Sequence, residues 1–338
     1  MAVAPTFYVV PGTAVRRAID ENRQRVFEVV ELAYRLHASG NAINPDSYFL
    51  RYPDRPSSRI IALPAHIGGS IQKSGIKWIS SFPDNNAGNL ARASAVLILN
   101  DGSTGYPVAC IEAALISATR TAASAALAAE RISPDPFMGS IGVIGTGIIA
   151  RATIEWLVFR GWQFSQVNLF DLDPNGSEHF SDWLSDKYDM EAVIHRRLDG
   201  ALSSSSLILF TTTALAPYLD DEKLLAHNPT VLHLSLRDIC PNVILEAQNI
   251  VDDVDHCLKA RTSVHLAEIE SGNRDFVAGT LVDVLENVFP LDLDKPRIFS
   301  PFGLGVLDLA VGDLVLQAAT SSGDAIALPD FFSNSARW

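Results

Sequence analysis

Ser140-Ile-Gly-Val-Ile-Gly145-Thr-Gly147-Ile-Ile-Ala150 is the stretch that decides the fold: a short apolar run, then Gly-x-Gly-x-x-Ala, then helical spacing. Each small residue has a physical purpose. Gly145 permits a tight turn, Gly147 lets backbone approach a pyrophosphate, and Ala150 lets helix and strand pack closely. Phosphates would sit on the helix N-terminus, where unpaired N–H groups and the dipole favour anions. The next apolar run, Val167-Asn-Leu-Phe, ends in Asp171, 21 residues after Ala150. That is close to the spacing of an acid that hydrogen-bonds a ribose 2′-hydroxyl and repels a 2′-phosphate, so NAD is expected rather than NADP. Asp173 is the alternative acid, or else the start of the following turn. The expected cofactor contacts are Thr121, Gly145, Thr146, Gly147, Ile148, Ala150, Asp171 and Thr212.

Downstream of Gly139 strand-like runs alternate with helical ones, the pattern of a parallel, doubly wound sheet. The expected strands are Ser140 to Ile144, Gln166 to Phe170, Leu207 to Thr211, Thr230 to Leu234 and Asn249 to Val251. Upstream the signals are mixed. A helix is expected from Thr13 to Ala38, where Val26, Val29, Val30, Ala33 and Leu36 share a face. Short β-like runs follow at Ser47 to Arg51, Arg59 to Ala65, Gly75 to Phe82 and Ala95 to Asn100, then an Ala-rich helix from Ala109 to Arg131. A last helix, Val306 to Ser321, is expected to return to the first domain. The fold class is therefore α/β: a Rossmann doubly wound parallel sheet over 121–305, beside a discontinuous α+β domain over 1–120 and 306–338.

At 338 residues the chain is long enough for about two domains. Its 48% hydrophobic and 19% charged residues are those of a globular protein. Lys and Arg total 26 against 39 Asp and Glu, a net charge of −13 that would repel a phosphate backbone, so nucleic acid is not an expected partner. Met1 to Gly12 lacks the pattern of a secretory leader, and no run of about 18 apolar residues occurs, so a cytoplasmic protein without a membrane partner is expected. The three cysteines, Cys110, Cys240 and Cys257, form no Cys-x-x-Cys pair, and neither disulfides nor metal are expected.

Three charged residues stand in apolar surroundings. Arg120 is the one charge in the Ala-rich helix between Glu112 and Glu130, and a buried guanidinium there needs an anion. A substrate carboxylate, the cofactor or an internal acid would each supply it. Lys77 lies in Gly75-Ile-Lys-Trp-Ile-Ser, alternating with Ile76 and Trp78. It is either a desolvated ammonium that exchanges protons or holds a carboxylate, or an edge-strand lysine facing water. Asp238 follows the apolar strand Thr230 to Leu234, which places it at the carboxyl edge of a parallel sheet where ligands bind. It is either a proton acceptor or a helix cap. His233 and Arg237 are weaker candidates.

Gly75-Ile-Lys77, Phe82-Pro-Asp-Asn, Gly105-Tyr-Pro, Arg120-Thr-Ala-Ala and the Gly145-Thr-Gly147 turn together resemble the ornithine cyclodeaminase/mu-crystallin superfamily over nearly the whole chain. Phe49-Leu-Arg-Tyr-Pro-Asp, Arg59-Ile-Ile-Ala-Leu-Pro-Ala and Arg92-Ala-Ser-Ala-Val resemble one branch of it, the N-(2-amino-2-carboxyethyl)-L-glutamate dehydrogenases of 2,3-diaminopropionate biosynthesis for siderophores and peptide antibiotics. The resemblance implies a homodimer built through the substrate domain. It implies catalytic roles for Lys77 and Asp238, contributed by separate lobes to one cleft, and a carboxylate-binding role for Arg120. A further substrate arginine upstream of the lysine falls on Arg51 or Arg59. The implied reaction is NAD-dependent oxidation of a small amino-acid-derived amine, followed by hydrolysis of the imine. Asp238 is the expected base that keeps the amine neutral, with Lys77 or Asp238 managing the protons of water addition. Ornithine cyclodeamination, alanine or ketimine dehydrogenation, and ligand binding without turnover are the rival readings.

Overall fold

The computed structural model describes residues 5–88 and 90–332, apart from the side chains of 86 and 87. The outermost residues read above, 1–4 and 333–338, lie outside the described residues. The chain divides into two compact units, one formed by the chain up to Arg120 together with Leu304 onward, the other by Thr121–Gly303.

The Thr121–Gly303 unit is a Rossmann doubly wound sheet. Its eight strands run in the order Ala192–Ile194, Gln163–Phe170, Met138–Ile144, Leu207–Phe210, Thr230–His233, Arg297–Ser300, Gln248–Val251 and Val277–Thr280. Every pairing is parallel. Strand order reverses between Met138–Ile144 and Leu207–Phe210, the switch point outside whose carboxyl ends ligands of such sheets bind. The five expected strands are present. Three more were not expected. Ala192–Ile194 is a three-residue edge strand, Val277–Thr280 contains a glycine, and Arg297–Ser300 begins with a charge. Buried Arg297 is accommodated because its guanidinium donates to the carbonyls of Ile132, Asn228, Asp292 and Lys295.

The other unit is built on a mixed sheet. Its order is Ile326–Leu328, Phe7–Val10, Pro107–Glu112, Ala93–Asp101, Lys73–Ser81, Arg55–Ile67 and Ala42–Ile43, and Tyr48–Tyr52 also pairs with Arg55–Ile67. The last helix, Gly305–Ser322, lies against one face. Two glycines allow its approach: a Cβ at Gly75 would fall 2.9 Å from Leu309 Cδ2, and one at Gly312 would fall 2.2 Å from Leu97 Cδ2. Two expectations are corrected here. The helix expected over Thr13 to Ala38 is two helices, Gly12–Glu21 and Arg23–Ala38, broken at Asn22. The Ala-rich helix begins at Ala114, because Pro107–Glu112 is a strand that pairs in parallel with Phe7–Val10. Tertiary pairing outweighs local propensity there.

Candidate functional site

Lys77 faces inward. Its strand pairs it with Leu63 on one side and Leu97 on the other, while the adjacent row of Ala62, Trp78 and Val96 occupies the opposite face. Lys77 is 2% exposed, so the water-facing reading does not hold. Its Nζ donates to Asp308 Oδ2 at 2.7 Å and to Ser117 Oγ at 3.1 Å. Asp308, fully buried on the last helix, also accepts from Arg120 Nε at 3.3 Å through Oδ1. The anion that a buried Arg120 requires is thus internal. Burial lowers the Lys77 pKa, Asp308 opposes that, Arg120 adds to it, and the result is about 8. Asp308 is thus shared by two cations.

Asp308 was not singled out from sequence. Its signal was legible all the same, because Asp308 and Asp313 are the two charges in the otherwise apolar run Gly305 to Leu316. Asp313 pairs with Lys73 at 3.3 Å, four residues before Lys77 on the same strand and so on the same face. Arg51 and Arg59, the alternatives for an upstream arginine, prove to be direct cross-strand partners, Arg51 exposed and Arg59 half-buried.

In the Rossmann unit the glycine turn has the expected form. Gly145 has φ +88°, and a Cβ there would sit 2.9 Å from the Thr211 carbonyl. A Cβ at Gly147 would meet no protein atom within 4 Å, so the space over it is open. Gly147 caps the Ile148–Phe159 helix without a side-chain hydrogen bond, which leaves first-turn N–H groups for an anion. Ala150 is buried and Ile148 exposed. Asp171 lies against the turn: Oδ2 accepts from Thr146 N at 2.7 Å and from Thr146 Oγ1 at 2.9 Å. Asp173 caps the Pro174–Tyr188 helix, so of the two acids Asp171 is the one at the turn. These residues fit a dinucleotide with a free ribose hydroxyl. Thr121 lies half-buried in the Ala114–Ile132 helix.

Asp238 is fully buried and takes four side-chain partners. Thr212 Oγ1 and Tyr218 OH donate to Oδ1, the latter at 3.0 Å, while Ser235 Oγ donates to Oδ2 and His233 Nε2 lies 3.1 Å from it. His233 Nδ1 in turn lies 3.1 Å from Ser300 Oγ. Burial would raise the Asp238 pKa, but hydrogen bonds from His233, Ser235 and Thr212 outweigh it and hold the carboxyl at about 2. Burial and the neighbouring Asp238 charge push the Tyr218 phenol up. Asp238 is no helix cap, since the Pro241–Leu245 helix is capped by Cys240. Thr212, expected at the cofactor, is engaged with Asp238. Tyr218 and Ser235 were missed because their meaning depends on a carboxylate that only the fold brings to them.

The model of the ornithine cyclodeaminase/mu-crystallin family matches residues 13–322. The chain belongs to that family. One family relative is the N-((2S)-2-amino-2-carboxyethyl)-L-glutamate dehydrogenase of Staphylococcus aureus, 27% identical over 314 residues that cover 90% of this chain and 93% of the other. Among solved structures, the Thermococcus litoralis Delta(1)-pyrroline-2-carboxylate reductase in complex with NADH and L-proline has a TM-score of 0.86 at 20% identity, covering 95% of this chain and 100% of that one. An archaeal alanine dehydrogenase dimer with bound NAD has a TM-score of 0.85 at 22% identity, over 97% and 100%. At those identities the two structures speak for the fold. Among the described residues no helix is long and apolar enough to cross a membrane.

Proposed function

We propose that the chain is an NAD-dependent enzyme that oxidises N-(2-amino-2-carboxyethyl)-L-glutamate at the glutamate Cα and hydrolyses the imine to 2-oxoglutarate and L-2,3-diaminopropionate, a building block for a siderophore or peptide antibiotic. The observation that carries this reading is the buried Lys77–Asp308–Arg120 cluster, which sets an ammonium with a lowered pKa beside a guanidinium on one shared carboxylate. Kinship over 90% of the chain with a dehydrogenase of that substrate supports this choice of amine.

NAD, when bound, supplies the hydride acceptor. The residues that would hold it are those of the glycine turn, through the N–H groups at the start of the Ile148–Phe159 helix, with Asp171 on the ribose. Arg120 and Lys77 grip a substrate carboxylate, and Lys77, with a pKa near neutrality, takes up and returns the protons of amine oxidation and water addition. Asp238, held at about 2, is a weak base. Its part is a fixed negative charge that steadies the cationic iminium and orders Tyr218 and His233 around it. This moves the base from Asp238, where the sequence placed it, to Lys77.

The protein works as a homodimer in the cytoplasm. Supporting the dimer, Tyr48, Ala62, Trp78 and Val96 form one cross-strand row on the sheet face opposite Lys77, with Tyr48, Trp78 and Val96 exposed. Mass spectrometry after incubating the amine with NAD tests the reaction. Stoichiometric 2-oxoglutarate, diaminopropionate and NADH are expected. Conversion of ornithine with no net NADH, or of alanine with the amine untouched, would replace this reading by a rival from the same family.

A further inference from the structure

We infer that Tyr218 guards the Asp238 carboxylate and yields it only to a cationic nitrogen, so that the Rossmann unit favours an amine or iminium over the corresponding ketone. This rests on the function proposed above, in which Asp238 steadies an iminium, and names the residue that sets the choice.

The Asp238 carboxylate is already full. An ionised carboxyl offers about four acceptor sites, and Thr212, Tyr218, Ser235 and His233 stand on them, two side chains to each oxygen. With Asp238 itself fully buried, no ligand reaches it until a partner leaves. The four are not equally free to go. His233 is fully buried and held from behind by Ser300, and the Thr212 hydroxyl is fixed on its other side by the Ala214 N–H at 3.1 Å. Ser235 is half-buried, and Tyr218 alone of the four is exposed, at 40%.

Tyr218 can leave without any movement of the backbone. Its N–H and that of Leu219 both donate to the Asp238 carbonyl at 2.9 Å, and Cys240 N donates back to the Leu219 carbonyl at 2.8 Å. Guard and carboxylate thus ride on one bridged backbone, and a turn of the exposed side chain about its own torsions, a fast event at a protein surface, uncovers Oδ1. What drives that turn is charge. The phenol–carboxylate bond is itself charge-assisted, so a neutral ligand that broke it would gain no better bond in return. A cation adds coulombic attraction in a site shielded from water, and it alone offsets the loss. Burial and the Asp238 charge keep the phenol a neutral donor, ready to close again once the cation has gone.

Calorimetric titration of the NADH-saturated protein with glutamate and, separately, 2-oxoglutarate tests this, because the two differ only in carrying an ammonium or a ketone at one carbon. Tyr218→Phe removes the guarding hydroxyl. It should tighten glutamate at least about tenfold, the value of a hydrogen bond to a charged group, and leave 2-oxoglutarate unchanged. A variant that binds glutamate equally or more weakly, or that shifts both ligands alike, would overturn the guard. In the parent, glutamate should perturb the tyrosine absorbance where 2-oxoglutarate does not. That comparison carries the test if the variant does not fold, and identical spectra would sink the proposal. Carbodiimide labelling of Asp238 without any ligand, read by peptide mass spectrometry, separates the guard from the proposed reaction. Labelling should be severalfold faster in Tyr218→Phe than in the parent, whatever amine the enzyme oxidises, and equal rates would overturn the guard even where product analysis bears the reaction out.

Discussion

Lys77 Nζ and Asp308 Oδ2 stand 2.7 Å apart although 231 positions separate them in the chain, and both side chains are buried. Asp308 therefore does two things: it keeps two neighbouring cations inside the fold, and it raises a Lys77 pKa that burial pulls down. Asp308→Asn removes both effects. It should cost about 3–5 kcal/mol of stability, the usual consequence of stranding buried charges. The limb of kcat/KM that reports Lys77 should move to lower pH. A chemical-denaturation midpoint and a pH–rate profile measure the two. An unchanged profile in a folded variant would remove Lys77 from proton transfer.

Lys77 itself should leave a mark on stability. Its pKa is about 8 in the folded protein and 10.5 in an unfolded chain. Between those values the unfolded chain holds a proton that the folded one has released, so stability rises with pH across the window. Its contribution is fully present above 10.5 and is lost as pH falls through 8. Lys77→Met should abolish this slope. Unfolding both proteins in urea at pH 7.5, 9 and 10.5 would show the difference, and parallel pH dependences would contradict the lowered pKa.

Asp171 accepts from both the backbone and the hydroxyl of Thr146, which holds the acid beside the glycine turn. Asp171→Ala should weaken NADH binding by about tenfold, the value of a charged hydrogen bond, and leave NADPH binding unchanged or improved. Fluorescence titration with the two reduced cofactors reads this directly. Equal losses for both would mean that the acid shapes the turn and does not read the ribose.

What was legible in the sequence follows from how local each physical demand is. Gly145 needs a left-handed backbone and Gly147 open space, and both demands are met within one turn, so the dinucleotide site could be placed from a dozen residues. Arg120 was recognisable as an oddity, but its anion lies on a helix 188 residues downstream, so the sequence left an outside carboxylate and an internal acid both open. The strand Arg297–Ser300 was hidden by its first residue, whose charge is satisfied by carbonyls from distant loops. Residues 109–112 read as helix because an Ala-rich run follows them, and only the pairing of Pro107–Glu112 with Phe7–Val10 makes them strand.

Trp78 lies in the exposed row opposite Lys77 and is 42% exposed. If that face joins two copies, Trp78→Glu places a charge where the partner's apolar surface must pack, and sedimentation should shift from dimer to monomer at micromolar concentration. Lys77 lies on the other face, so the lone chain should keep its fold. A variant that stays dimeric would move the interface elsewhere.

Asp238→Asn is the sharpest test of the second charged centre. Thr212, Tyr218 and Ser235 all donate to this carboxylate. An amide offers one acceptor oxygen and turns the other position into a donor, which opposes the donors already aimed there and should cost about 1–3 kcal/mol of stability. Turnover should fall at least about a hundredfold, because a neutral amide cannot steady a cationic intermediate and that interaction is worth about 2.7 kcal/mol or more. NADH affinity should remain close to that of the parent, since the glycine turn and Asp171 are untouched. The pH–rate profile separates a fixed charge from a base: with a carboxyl held at about 2, the parent profile should show no limb from Asp238 near neutrality. A limb between pH 5 and 7 that disappears in Asp238→Asn would return the base to Asp238 and reduce Lys77 to a carboxylate anchor.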